Sequence, residues 1–149
     1  KNNATTSGND AKNAKKRIVA LKRIICTDFD DANTVFQEVI AMRSFDHPNL
    51  VRYDDVFLEN LNDTSFGVCI VMELYPSDLQ RYLRKKKFKS EPKLIKYVKQ
   101  LCEGIHYMHS HGLIHRDLKP ENVFMKNKYR DLLIGDVQIM LCFYFSNKK

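Results

Sequence analysis

Glycine is scarce in this chain, and the scarcity is informative. There are five, Gly8, Gly67, Gly104, Gly112 and Gly135, and none of them forms a G-x-G-x-x-G phosphate loop. The four cysteines, Cys26, Cys69, Cys102 and Cys142, lie far apart and include no C-x-x-C pair. That spacing argues against a disulfide framework and against a cysteine-rich zinc site. Each sits among apolar neighbours, the usual setting of a buried free thiol, so a reducing, intracellular compartment is expected, cytoplasmic or nuclear. Long apolar runs are missing too. The longest, Ile139 to Phe145, is far too short to span a bilayer. The opening Lys1-Asn2-Asn3-Ala4-Thr5-Thr6 has no apolar core of a secretory signal. What is present is ordinary globular material. The chain has 149 residues, 44% hydrophobic and 29% charged, enough for one domain or one piece of a larger one. The net charge of +7 permits binding to acidic surfaces without indicating it.

The organisation reads from apolar periodicity. Residues 1–16 carry no large apolar side chain and are expected to form a polar linker or disordered segment. Arg17 to Ile25 is short and rich in β-branched residues, a strand. Asp31 to Phe45 places Val35, Phe36, Val39, Ile40 and Met42 on one helical face, and His47-Pro48-Asn49 stops it. Leu50–Leu58 and Gly67–Glu73 read as a strand pair around a turn at Glu59–Ser65. A short helix, Leu79–Arg84, follows Ser77 or Asp78 as N-cap. In the next helix Leu94, Val98, Leu101, Ile105 and Met108 repeat at steps of four and three, and Gly112 closes it. A loop containing Pro120 leads to strands near Val123–Met125 and Leu132–Ile134 around a charged turn. The pattern is α+β, with the strands concentrated early.

Lys85-Lys86-Lys87-Phe88-Lys89 is read as a solvated charge run rather than a nucleic-acid contact. The histidines His106, His109, His111 and His115 lack the further ligands that a zinc site wants.

The chemistry-bearing run is His115-Arg116-Asp117-Leu118-Lys119-Pro120-Glu121-Asn122. It resembles the catalytic loop of eukaryotic serine/threonine protein kinases, H-R-D followed by four residues and then Asn. The resemblance covers roughly Arg17 to Asp136. It implies a partial kinase-like fold, with a partial N-lobe of antiparallel strands plus one helix and the first part of the helical C-lobe. It also implies ATP and Mg²⁺ as cofactors and a protein substrate bearing Ser or Thr, with no membrane or nucleic-acid partner.

In that reading Asp117 is the base for the incoming hydroxyl, Lys119 places positive charge beside the transferring phosphoryl group, and Asn122 offers a hard oxygen to Mg²⁺. His115 packs and bonds backbone, and Arg116 would meet an activation-segment phosphate. Val19-Ala20-Leu21-Lys22 resembles the family's V-A-I-K, so Lys22 is expected on the ATP phosphates. Its expected ion-pair partner is Glu38, 16 residues later on the helix. Ile70-Val71-Met72-Glu73-Leu74-Tyr75 resembles the strand and hinge that hold adenine. Met72 would be the gatekeeper, Glu73 and Tyr75 would bind the purine through backbone groups, and Asp78 would reach the ribose. Ala20 above and Phe124 below would sandwich the base. Leu133-Ile134-Gly135-Asp136 resembles the lead-in to D-F-G and makes Asp136 the expected principal Mg²⁺ ligand.

The departures are equally plain. Val137 and Gln138 stand where the family has Phe and Gly. Val137 would only partly fill a stack formed with His115, Met42 and Tyr53, and a Cβ at Gln138 restricts a backbone that glycine leaves free. Residues 139–149 form an apolar and basic tail unlike the family, and its apolar run is prone to β-aggregation if exposed. The expected domain is therefore 17–138, truncated at both ends, with a tail from misread sequence. Two functions follow: a serine/threonine kinase fragment, or an inactive pseudokinase-like scaffold that binds nucleotide or a partner. For these 149 residues alone, little or no kinase activity is expected, with apolar surface of the long helix left uncovered.

Overall fold

A computed structural model describes residues 18–85 and 90–135. In chain order these form strand β1 (Val19–Cys26), helix α1 (Phe29–Arg43), strands β2 (Tyr53–Asn62), β3 (Ser65–Glu73) and β4 (Ser77–Asp78), helices α2 (Leu79–Lys85) and α3 (Glu91–Ser110), and strands β5 (Val123–Lys126) and β6 (Asp131–Ile134). The strands build two antiparallel sheets of three, ordered β1-β3-β2 and β4-β5-β6. None of the helices among the described residues is long and apolar enough to cross a membrane.

The first sheet shows the two-residue alternation of a half-buried surface. Ala20, Lys22, Ile24 and Cys26 turn inward on β1, while Val19, Leu21, Arg23 and Ile25 face outward. β3 is the central strand, and Val68, Cys69, Ile70 and Met72 are all buried there. Helix α1 covers the inner face. Asp28 caps it by accepting a hydrogen bond from the Asp31 amide at 2.8 Å, so the helix begins two residues before the expected Asp31. Acidic Asp30 and Asp31 in its first turn and Arg43 in its last complement the helix dipole.

The strand β2 starts later than expected, at Tyr53, because Leu50 takes a different neighbour. It forms a parallel bridge to Ile134 of β6. The Val51 amide donates to the Ile134 carbonyl, and the Ile134 amide donates to the Asn49 carbonyl, each at 2.8 Å. Asn49, itself buried, adds a bond from Nδ2 to the Leu132 carbonyl at 2.9 Å. Residues 49–51 are thus a backbone strap between the two sheets. The β2–β3 turn is tighter than the expected Glu59–Ser65. Strand pairing runs on to Asn62 and Ser65, and the Asn62 carboxamide accepts from the Thr64 amide at 3.0 Å.

Helix α3 is amphipathic, but its expected stripe is only half used. Met108 is fully buried and Leu101 and Ile105 pack on the core, while Leu94, Ile95 and Val98 are 49%, 60% and 51% exposed. Tyr97 and Gly104 complete the buried side. Gly112, at φ 76°, adopts the left-handed conformation that terminates the helix, and the Leu113 amide bonds back to the Met108 carbonyl. One core joins the first sheet, α1, the end of α3 and β6. A second, around Tyr82, Tyr97, Val123, Met125 and Leu132, anchors α2 and α3 on the small sheet.

Candidate active site

Residues His115–Asn122 sit between the end of α3 and β5. The chain leaves α3 through Gly112, and Arg116 takes a positive φ of 62°. It then closes with one 3-10 turn, Pro120–Asn122. Proline starts that turn well, because its missing amide hydrogen would be unpaired there anyway.

Buried hydrogen bonds fix the loop. His115, 4% exposed, bonds from Nε2 to the Gly135 carbonyl at 2.9 Å, and its Nδ1 accepts from the Asp117 amide at 3.3 Å. With a carbonyl at one ring nitrogen and an amide N–H at the other, Nε2 donates and Nδ1 accepts. Asn122 is also buried. Its Nδ2 donates to the Asp117 carbonyl at 2.8 Å and to Asp117 Oδ2 at 3.0 Å. This turns Oδ1 the other way, as a hard oxygen suited to a divalent cation. The Gly135 amide donates to the Asn122 carbonyl at 2.9 Å, so the loop and the end of β6 are one bonded unit.

Asp117 is the electrostatic centre. Lys119 Nζ lies 2.6 Å from Asp117 Oδ2. That bond, with help from Asn122 and the Lys119 charge, holds the Asp117 carboxyl below its ordinary range. Lys22, on the inward face of β1, reaches the same electrostatic neighbourhood. Burial pulls its ammonium below the ordinary lysine range, and the Asp117 charge works in the opposite direction. Hydrogen bonds thus bring together Asp117, Lys119 and Asn122, and the Asp117 charge is felt at Lys22.

The expected Lys22–Glu38 ion pair is not made. Burial raises the Glu38 carboxyl, and the charge that acts on it is Arg116. Asp136, Val137 and Gln138 lie outside the described residues, as do 1–16 and 139–149. The expected stack partners of Val137, namely His115, Met42 and Tyr53, are each buried. Among the described residues no three His, Cys, Asp or Glu side chains gather as a metal site.

The expected hinge residues form a second group. Met72 is buried and pairs across the sheet with Ala20 on one side and Tyr53 on the other. Glu73 Oε2 takes a 2.6 Å bond from Lys126 Nζ, tying the end of β3 to β5. Asp78 is occupied locally: its Oδ1 accepts from the Arg81 amide at 2.6 Å and caps α2. That settles the two candidate caps in favour of Asp78, whose backbone also pairs with Phe124 in β4–β5. Phe124 stacks on Tyr75 with ring centroids 5.4 Å apart and planes 22° apart. No sequence pattern signalled the Lys126–Glu73 contact or this stack.

A cavity of about 850 Å³ opens elsewhere, on the side of the strap, lined among others by His47, Arg52, Asp54, Gln100 and Glu103. It shares Glu73 and Tyr75 with the hinge but reaches none of Lys22, Asp117, Lys119 or Asn122. We therefore locate the site by its bonded geometry, not by cavity size.

The protein kinase domain family matches residues 6–141 of the chain. Similar curated proteins include the cell cycle serine/threonine-protein kinase CDC5/MSD2 of Saccharomyces cerevisiae, 37% identical over 103 residues, which cover 68% of this chain and 14% of the relative. Mitogen-activated protein kinase 6 of Oryza sativa subsp. japonica is 35% identical over 121 residues, 79% of this chain and 32% of the relative. The serine/threonine-protein kinase KIN4 of Saccharomyces cerevisiae is 31% identical over 135 residues, 87% of this chain and 16% of the relative. The matched part of the chain spans a third or less of the length of these relatives.

Proposed function

The chain belongs to the protein kinase family, and from that premise we propose that it is part of a serine/threonine kinase acting on ATP and a protein hydroxyl. The observation that carries this reading is the Asp117 carboxylate, held ionised within 2.6 Å of Lys119 and 3.0 Å of Asn122. Asp117 accepts the proton of the incoming hydroxyl and aligns its oxygen for attack. Lys119 balances charge that grows on the phosphoryl oxygens. Lys22, close to Asp117, takes the α- and β-phosphates. The hinge stretch from Met72 to Tyr75, with Ala20, Asp78 and Phe124, receives the nucleoside. Asn122 Oδ1 and Asp136 are the residues that would hold Mg²⁺, which when bound neutralises phosphate charge.

The test is phosphate transfer from labelled ATP to a generic Ser/Thr substrate by the full-length protein. Asp117→Asn should lower the rate by about 10²–10⁴-fold, the usual scale of a general base. Equal activity in wild type and variant would sink the reading. A second reading, an inactive nucleotide- or protein-binding scaffold, is favoured by one observation: among the described residues Lys22 and Glu38 form no ion pair. Nucleotide binding without Asp117-dependent turnover would select it. Both readings hold an intracellular protein; in the kinase reading its natural partner carries Ser or Thr.

A further inference from the structure

The turn between β5 and β6 is strained. Asn127, Lys128 and Tyr129 all take positive φ, at 51°, 57° and 66°, a left-handed run that costs free energy at every residue with a side chain. Such a run persists only where its surroundings hold it. The Tyr97 hydroxyl donates to the Tyr129 carbonyl, Asn127 Nδ2 donates to Asp131 Oδ2 at 2.6 Å, and the Tyr82 ring packs 5.3 Å from that of Tyr129. The held turn lines two recesses. One, of about 430 Å³, is walled by Lys96, Lys128, Arg130 and Asp131. The other, of about 100 Å³, lies among Arg81, Lys85, Tyr82 and Tyr129. Five cations thus stand against one carboxylate. Of the five, only Lys96 has an ion-pair partner among the described residues, Asp131 at 3.6 Å.

We infer that this face docks a partner protein through an acidic segment, with Asp or Glu side chains seated in the two recesses. Charge complementarity sets the sign of the occupant. The division of the surface points to a peptide. Discrete recesses parted by the turn suit separate carboxylates on an extended chain, whereas an unbroken row of phosphates would meet the Asp131 carboxylate in the larger recess. Arg130 is also anchored, its Nε donating to the Asn127 carbonyl at 3.3 Å, and a cation already held in place costs less to order on binding. None of the lining residues is among Lys22, Asp117, Lys119 and Asn122, and the site needs no nucleotide. It therefore stands or falls independently of the phosphoryl-transfer reading.

The experiment selects peptides from a random phage-displayed library on the full-length protein, without nucleotide. A selected peptide, labelled with fluorescein, is then titrated by anisotropy against wild type and two double variants, Lys128→Glu with Arg130→Glu and Arg81→Glu with Lys85→Glu. All four positions are exposed, so both variants should keep the wild-type thermal midpoint, measured alongside. If a reversal lowers the midpoint, the same pair changed to alanine takes its place. Selected peptides should share acidic positions, and exchanging their Asp and Glu for Asn and Gln should abolish binding. Each double reversal should weaken binding by about tenfold or more, because two attractions become repulsions. Added salt should weaken binding to wild type. Selection of peptides without acidic positions would overturn the inference, as would unchanged binding in either double variant. Tighter binding of a single-stranded oligonucleotide or of phosphatidylserine vesicles than of the peptide, lost in the same variants, would give the face to nucleic acid or membrane and overturn it too.

Discussion

Substituting Gly104 by Ala sets two opposing effects against each other. Gly104 lies inside α3, where replacing glycine by alanine ordinarily stabilises a helix by about 0.8–1.0 kcal/mol. Here the added Cβ would sit 2.9 Å from Ile134 Cδ1 and 3.1 Å from the Asn49 carbonyl oxygen. The Ile134 contact is a side-chain tip and can turn. The Asn49 oxygen cannot move cheaply, because it accepts the 2.8 Å bond from the Ile134 amide that holds the strap to β6. Overfilling a packed contact costs about 1–3 kcal/mol, so the clash outweighs the propensity gain. The expected net loss is about 1 kcal/mol, or roughly 3 °C in thermal midpoint for a chain of this size. Circular dichroism melts of wild type and Gly104→Ala measure it. Ile134→Val removes the Cδ1 atom, so its ordinary cost of about 0.5–1.5 kcal/mol should shrink in the Gly104→Ala background. A Gly104→Ala protein that melts higher than wild type by the full helix-propensity gain would refute the close approach of α3 to the strap.

Three further outcomes follow from the titrating groups. The Asp117 carboxyl is lowered by Lys119, so carbon-detected NMR should find it titrating below an ordinary aspartate, and Lys119→Met should raise it. Because the folded value is depressed, its contribution to stability is present above about pH 4, the unfolded value, and is lost as pH falls through the folded one. Lys22, lowered by burial, should react with an amine-directed reagent at lower pH than surface lysines. Asp117→Asn should enhance that reactivity further, because it removes the opposing charge; slower labelling would refute the proximity. Tyr53 is pushed up to about 12 by burial. Absorbance at alkaline pH should show a late-ionising phase that Tyr53→Phe removes; Tyr97, also raised by burial, titrates late as well. The folded value of Tyr53 is raised, so its contribution to stability is complete below about pH 10 and declines as pH rises toward 12.

Much of the architecture was legible where a local pattern decides it. β1 alternates with period two, α1 buries Ala32, Val39 and Met42 on one face, and Gly112 ends α3 where the repeat runs out. The segment His115–Asn122 stood out in the sequence as one unit, but the bonds among Asp117, Lys119 and Asn122 within it were not read there. What the sequence did not disclose depends on packing between segments. Leu50 is apolar and β-prone, and nothing local says that it pairs with Ile134 instead of opening β2. Leu94 and Val98 repeat like core residues and are half-exposed; uncovered surface on this helix was expected, but periodicity reports a face and not its partner, so it did not say which residues would be left open. The expected Lys22–Glu38 pair belongs to the same class: it depends on how two separate elements meet. Gly135 could have been noticed as a glycine beside a strand, but the close approach that explains it comes from Phe124 and Val51, distant in sequence.

The strap at 49–51 has a mechanical consequence. Backbone joins the two sheets in two places: the covalent chain that runs from Glu73 to Ser77, and the paired bonds between 49–51 and Ile134. Two backbone attachments define a line, and a swing about it is resisted only by side chains, the Glu73–Lys126 pair and the shared core among them. The first sheet carries Lys22 and the second is bonded to the loop bearing Asp117 and Asn122. Such a swing would change the Lys22–Asp117 separation while leaving the bonds within each half intact. Because the strap is made of main-chain bonds, its axis is insensitive to which side chains decorate it. The side chain that stiffens the strap itself is Asn49, whose bond to the Leu132 carbonyl clamps it from the side.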